Sequence, residues 1–420
     1  MNKKPMYQAI ALTSILMALA SCTRREKPPQ GPCPPKDQSV AGQIRSDCLK
    51  TDQKMQLLAS KIDDIQKQIC CLGMETVHEC WGGKVPAHYD NDRFFITGEF
   101  LYWKADEDGL EYGTKVQGLT VSKITSGIGN AGGNYPNTNS TVEDLSFSWN
   151  PGFRLGAGGT FGDHDHWDLF LNYTRINNKA HGSASIGASQ GVILPAWDGF
   201  ILGVASNNAS AHLHVNLNTL DLELGRDYFV AQDLAIRPHL GLRGAIIDQA
   251  YNASYNPAIG SITSTLSMKN DFMGIGVRAG SDMMWHFCQN FGIYGQISGA
   301  LLYGRFKVYE KFKGAFPTPS LEGSYGVTTK LNEDFSRTRA NIQAAIGFTW
   351  EEVIALGDYK LAISLGYEMS EWFDQNQMMQ KMEQLFPNGS GNTTLPAAFL
   401  KHQDGDLGFQ GGSLKFMIDF

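Results

Sequence analysis

Beyond its extreme N-terminus the chain has no apolar run near the roughly 20 residues that a membrane-crossing helix requires. That absence removes helical membrane bundles from consideration. Charge is also scarce: Asp, Glu, Lys and Arg make up 18% of the 420 residues, with a formal net charge of -7. An acidic balance argues against nucleic acid, which selects basic surfaces. Six of the seven cysteines, Cys22, Cys33, Cys48, Cys70, Cys71 and Cys80, precede residue 81, and only Cys288 lies beyond. Adjacent Cys70 and Cys71 cannot both serve a closed zinc site of the CxxC type, so the spacing carries no zinc pattern.

Catalytic signatures are missing too. There is no P-loop, the glycines of 152–162 lack a βαβ context, and the Ser, His and Asp residues form no nucleophile elbow. No catalytic residue and no cofactor is expected, and the chain does not read as an enzyme. His164-Asp165-His166 and His212-x-His214 come nearest to a metal site. No third ligand is fixed by their spacing, so they read as polar lumen or loop positions, and no metal is expected.

What the chain does have is 46 glycines, an aromatic share of 11% and 42% apolar residues, at a mean hydropathy of -0.24. Strands that alternate lipid-facing apolar with lumen-facing polar residues average to such a value. A soluble all-β protein averages to the same, so patterning has to decide.

The N-terminus carries an export signal. Lys3 and Lys4 precede an apolar stretch from Ala9 to Ala20, the length of a signal-peptide core and too short to span a bilayer. It ends Leu19-Ala20-Ser21-Cys22, which resembles a bacterial lipobox with Cys22 as the lipid attachment residue. Cleavage after Ala20 by the ordinary signal peptidase is the rival reading. Removing residues 1–21 takes Lys3 and Lys4 with it, giving -7 - 2 = -9 for the mature chain. In an oxidising periplasm the remaining cysteines become candidates for disulfides whose pairing the sequence leaves open.

Residues 22–40 hold five prolines (28, 29, 32, 34 and 35) and read as an extended tether. In 41–73 follows a heptad: Ala41, Ile44, Cys48, Thr51, Met55, Leu58, Ile62, Ile65, Ile69 and Leu72 alternate spacings of three and four, and Gly73 ends the run. This is the seam of a coiled-coil-like helix, and its Ile-rich C-terminal half favours a trimer over a dimer. A single amphipathic helix packed on another surface is the alternative. Residues 74–92 read as a linker.

From Arg93 the periodicity becomes two. Phe94, Ile96, Gly98, Phe100 and Tyr102 take one face against Thr97 and Glu99. Similar alternation recurs at 167–174, 212–217, 220–224, 342–350 and 361–368, several runs being bounded by Tyr, Trp or Phe as interface girdles are. Gly127 to Ser140 and Asn252 to Ser267 read as long loops, and Gly225-Arg226-Asp227 as a short turn. Membrane strands of about 9–11 residues plus connections would give roughly 12–16 strands, an even number, over 93–420. The fold class is therefore all-β, a transmembrane antiparallel barrel preceded by a short helix. The last run, Leu414, Phe416, Ile418 and Phe420, ends in an apolar-face Phe, which resembles the signal read by the barrel-assembly machinery; the usual Gly five residues before the end is Lys415 here. Asp221, Glu223, Arg237, Arg243, Arg278, Arg305 and Glu368 are candidate pore-lining charges, with pairing inside the wall as the equal alternative.

Six segments spread over 94–420 carry a resemblance: FFITGEFLYWKADEDGLEY (94–112), LDLELGRDY (220–228), LAIRPHLGLRGAII (234–247), NDFMGIGVRAGSDMMWHF (270–287), LGYEMSEWFDQNQ (365–377) and GDLGFQGGSLKFMIDF (405–420). Together they resemble the pore-forming, major-outer-membrane-protein-like (MOMP-like) proteins of Legionella and chlamydia-related bacteria. The resemblance implies an outer-membrane barrel that passes small hydrophilic solutes passively and has no catalytic residues. It does not extend to the lipobox or the heptad. The expected partners are outer-membrane lipid, the assembly machinery, such solutes and further copies of the chain. A plugged barrel with a structural or adhesive role, tying envelope layers together, is the competing function.

Overall fold

A computed structural model describes residues 93–420 apart from 121, 123–137, 162–166, 198–204, 259–262, 289, 318–323, 355–358 and 385–396. The signal, the candidate lipid residue Cys22, the tether, the heptad and the linker lie outside the described residues, as do His164 and His166.

The described residues form seventeen strands. The first six are β1 (Phe94–Glu107), β2 (Gly113–Gln117), β3 (Asn139–Glu143), β4 (Ser146–Phe147), β5 (Trp149–Phe161) and β6 (Trp167–Ser185). Next come β7 (Gly191–Pro195), β8 (Ser206–Arg226), β9 (Tyr228–Phe229), β10 (Leu234–Pro257), β11 (Ser264–His286) and β12 (Phe291–Pro317). The last five are β13 (Ser324–Ile354), β14 (Tyr359–Asn376), β15 (Met379–Gln384), β16 (Ala397–His402) and β17 (Gly405–Asp419).

Ten of them close a ring in the order β8, β10, β11, β12, β13, β14, β17, β1, β5, β6, and the β6–β8 pairing shuts it. First and last strands meet antiparallel, and at their ends Phe94 and Phe420 exchange two backbone hydrogen bonds of 2.9 Å. A closed ring leaves no unpaired edge to face lipid. Ten is even, as expected, but below 12–16. The reason is strand length: β5 has 13 residues and β13 has 31, so the chain is used up in fewer crossings than strands of about 9–11 residues would give.

The extra length has a cause visible along each strand. On β8, Leu220, Leu222 and Leu224 point outward and are exposed, while Asp221 and Glu223 point inward and are buried. Six residues earlier the polarity is reversed. Leu213, Val215 and Leu217 are buried inside, and His212, His214 and Asn216 are outside. The same inversion occurs on β1, where outward Ile96, Phe100 and Tyr102 give way to Lys104 and Asp106, and inward Thr97 and Glu99 to Leu101, Trp103 and Ala105. It recurs between Ile246 and Asp248 on β10, Met273 and Asp271 on β11, and Tyr303 and Arg305 on β12. One part of the ring is thus apolar outside and polar inside, as a bilayer demands. The other is apolar inside and polar outside, as water demands.

The apolar outer belt is bordered by aromatic residues. Tyr102, Tyr173, Tyr303 and Tyr367 stand at the inversion, and Phe94, Phe161, Trp167 and Phe420 at the end where β1 starts and β17 finishes. That end also has the shorter connections, such as 162–166 and 355–358, whereas β1 to β5 and β14 to β17 are joined at the other end by segments that include further strands. There β2 pairs with β3 and β7, and Val192 and Ile193 of β7 are fully buried. Asn252–Ser267, read from sequence as a loop, falls largely within β10 and β11: its polar residues Asn252 and Asn256 are simply the outward face of strand beyond the belt.

Ala231–Leu234 and Trp285–Gly292 belong to a second compact unit. Within it the Trp285 indole donates to Asp233 at 2.9 Å, and the backbone N–H of His286 to Asp233 O at 2.8 Å. Cys288 is disulfide-bonded.

Candidate functional site: the charged lumen

Inside the belt the inward residues of neighbouring strands are charged, and they meet across the ring. Arg243 of β10 grips Asp221 of β8 through Nε (2.6 Å) and Nη2 (2.7 Å). Its other contacts, to Asn341 and to Gln343 Oε1 (2.7 Å), lie on β13, so they skip β11 and β12 and cut across the lumen. Arg278 of β11 donates to Asp221 (2.8 Å), to Glu223 and to Ser298 of β12 (3.0 Å). On the other side, Arg154 of β5 donates to Glu99 of β1 (2.7 Å) and to Glu368 of β14 (2.9 Å), skipping β1 and β17 in the second case. Arg237 of β10 binds Asp168 of β6 through Nε (2.7 Å) and Asp282 of β11 (2.7 Å).

Local sequence explains why these side chains reach one another. Each sits at the inward parity of a strand whose flanking outward residues are mostly apolar, such as Leu220 and Leu222 beside Asp221, Leu242 beside Arg243, and Phe153 and Leu155 beside Arg154. Gly241 and Gly276 share the inward face with Arg243 and Arg278. A Cβ there would lie 2.0 Å from Leu222 O and 1.8 Å from Leu301 O, so only glycine fits the sheet at these points. Arg243 and Asp221 are each 1% exposed. Charges so buried persist because each is paired and hydrogen-bonded several times.

Beyond the charged layer, on the far side of the inversion, the interior is an apolar core. Leu101, Trp103, Tyr251, Phe272, Phe306 and Phe409 are buried within one cluster, with Phe272 and Phe306 ring centroids 4.7 Å apart. A polar bridge also crosses this core. Gln249 of β10 donates to Glu107 of β1 at 2.7 Å, and Asn270 of β11 donates to Gln249 (2.6 Å) and to Gln375 O just inside the end of β14 (2.9 Å). In the described residues the lumen is therefore crossed at two levels. Ten strands give an interior only slightly wider than the eight-strand case, which side chains fill, and far from the 16–18 of water-filled porins.

Of the candidate charges, Asp221, Glu223, Arg237, Arg243, Arg278 and Glu368 face the lumen and join this layer. Arg305 does not. It stands one position from inward Phe306, so strand parity turns it outward, with its side chain 57% exposed and paired to Asp334 at 2.7 Å. His212 and His214 are likewise not lumen positions but outward ones beyond the belt, because Leu213 occupies the core. Among the described residues no group of three or more His, Cys, Asp or Glu side chains is placed to hold a metal. Sequence reading missed Arg154, Glu99, Asp168 and Asp282 as layer members. The signal was available for Glu99 and Asp168, both at the polar parity of recognised strands. For Arg154 it was hidden by the surrounding glycines. Leu414, Phe416 and Ile418 face outward on β17, and Phe420, just past its end, packs edge-on against Phe94 at 5.5 Å.

A closed antiparallel ring with an apolar belt, aromatic borders and a polar interior at belt level defines a transmembrane β-barrel protein. Residues 85–420 match the family model described as the Legionella pneumophila major outer membrane protein precursor. The chain belongs to that family and is an outer-membrane barrel. No curated protein matches it. Among solved structures it is similar to the outer membrane protease OmpT from Escherichia coli (7% identity, 78% of this chain and 96% of that one, TM-score 0.34). It is also similar to a Pseudomonas aeruginosa FadL homologue (8%, 82% and 98%, TM-score 0.19) and to a deletion mutant of the TodX monoaromatic hydrocarbon channel (10%, 79% and 90%, TM-score 0.28). Likeness at these TM-scores carries no argument about function.

Proposed function

We propose that the protein is a non-enzymatic outer-membrane pore for small hydrophilic solutes, held closed in the state described here. The observation that carries this reading is the charged layer at belt level. Apolar residues of similar volume would fill a purely structural lumen at equal or better stability. Ionisable groups kept at membrane depth mark solute paths by default. In this reading Arg154, Arg237, Arg243 and Arg278 and the carboxylates they bind form the selective constriction, and the apolar core beyond it is the closure. The end where β1 starts and β17 finishes faces the periplasm, because bacterial barrels keep short turns there and long connections outside.

Swelling of protein-loaded vesicles in small sugars tests it. Wild type should swell slowly, and Trp103→Ala combined with Phe272→Ala, which thins the apolar closure, should swell at least several-fold faster. Equal, background-level swelling of both would reject the pore. A second reading, a permanently sealed barrel with a structural role, is favoured by the two crossings of the lumen and would then stand. We further propose that Cys22 carries lipid and that the heptad at 41–73 trimerises the chain in the periplasm.

A further inference from the structure

The outward face of β12 changes character at Tyr303. On the belt side Ile297 and Leu301 point out; beyond Tyr303 the same face reads Arg305, Lys307, Tyr309, Lys311 and Lys313. The opposite face fixes this parity, since Leu302, Phe306 and Val308 are buried and Phe312 packs against the core. Lys269 of β11 and Lys330 of β13, on the two flanking strands, are also exposed. Three carboxylates border the surface: Asp334, paired with Arg305 at 2.7 Å, Asp271, which lies near Lys269 and Lys307, and beside it the exposed Asp248 of β10. Six cations against three carboxylates, in a chain of net charge -7, is a segregated charge pattern and not an average of the composition.

Height decides what such a ladder meets. Arg305 lies two residues beyond the girdle tyrosine, about 7 Å along the strand, and Lys313 about 26 Å further. With strands tilted by about 35–45°, the ladder begins at head-group level and rises roughly 20 Å. An anion that sits against the wall of the barrel from the head groups outward is a phosphorylated glycolipid. A soluble polyanion would have no reason to be met first at the belt. We propose that this face of β12 binds the head-group and core-sugar phosphates of the outer-leaflet glycolipid. Lys307, Lys311 and Lys313 supply the charge, and Tyr303 packs on the acyl–sugar boundary. The proposal rests on the outer-membrane placement and on the end where β1 starts facing the periplasm; it is independent of the pore reading.

The test uses the full chain folded in detergent and titrated with purified phosphorylated glycolipid, with the same glycolipid dephosphorylated, and with inorganic phosphate. Wild type should bind the phosphorylated form at least tenfold more tightly than the dephosphorylated one, with affinity falling steeply with salt, and inorganic phosphate should not compete at equal concentration. The variant Lys307→Gln/Lys311→Gln/Lys313→Gln should lose most of that preference. Lys104→Gln/Arg175→Gln/Lys179→Gln, which removes three outward cations from other strands, should keep it. Wild-type binding that ignores the phosphates would overturn the proposal without recourse to any variant. So would competition by inorganic phosphate, or equal losses in the two triple variants.

Discussion

Arg243 and Asp221 face each other on adjacent strands, each 1% exposed, joined by two hydrogen bonds of 2.6 and 2.7 Å. This pair anchors the charged layer, because Arg243 also reaches β13 and Asp221 also receives Arg278. Arg243→Ala leaves a buried carboxylate short of its main partner, and breaking such a pair costs about 3–5 kcal/mol. The expected outcome is a matching drop in the urea midpoint of the folded, heat-modifiable form. Arg243→Met with Asp221→Leu should recover most of it, since both charges are then removed together. A single variant as stable as wild type would show that the pair is not formed.

The polarity inversion predicts opposite answers from two nearby positions of one strand. Leu222→Arg places a charge on the lipid face and should cost about 2–4 kcal/mol on insertion near the bilayer midplane. Asn216→Arg lies outward beyond the inversion and should change folding into vesicles by less than about 0.5 kcal/mol, as surface substitutions do. Equal costs at the two positions would place both in the same solvent and refute the inversion.

Much of the fold was legible before the structure, for reasons these positions illustrate. Period-two alternation at 94–102 and 220–224 correctly set the lipid face, and the closing apolar Phe420 lies at the seam with Phe94. Alternation does not say which face is inside. At 212–217 the same rhythm occurs with the sense reversed, so Leu213 is core and His212 is surface. The two cases differ only in what surrounds the strand, lipid or water, and a single strand does not encode that. Arg305 was misassigned on the same ground. Strand number failed because strand length includes the part beyond the membrane. The cross-lumen partners, such as Arg154 with Glu368, are separated by over two hundred residues and depend on ring size, which no local pattern carries.

At the close approaches, Gly276→Val should abolish assembly. Its Cβ would fall inside the van der Waals shell of Leu301 O, and that atom is backbone, which cannot rotate away. Loss of the heat-modifiable form on gels checks this, with Gly98→Ala as the control because a Cβ there meets nothing within 4 Å. Accumulation of folded Gly276→Val would contradict the packing described.

The N-terminal proposals have their own readouts. The mature chain should begin at a lipid-modified Cys22 by mass spectrometry, and an unmodified peptide starting at Ser21 would exclude the anchor. Deleting 40–72 should convert crosslinked trimers to monomers; unchanged trimers would show that the heptad is not needed.

Single-channel recording in planar bilayers tests the central claim, a charged path held shut by the apolar core. Wild type should be silent for most of the record, with brief steps far below those of 16–18-strand porins. Trp103→Ala/Phe272→Ala should open longer and larger steps whose ion selectivity shifts when Arg243 is also replaced. Large, stable wild-type steps would contradict the closure, and silence from every variant would contradict the path.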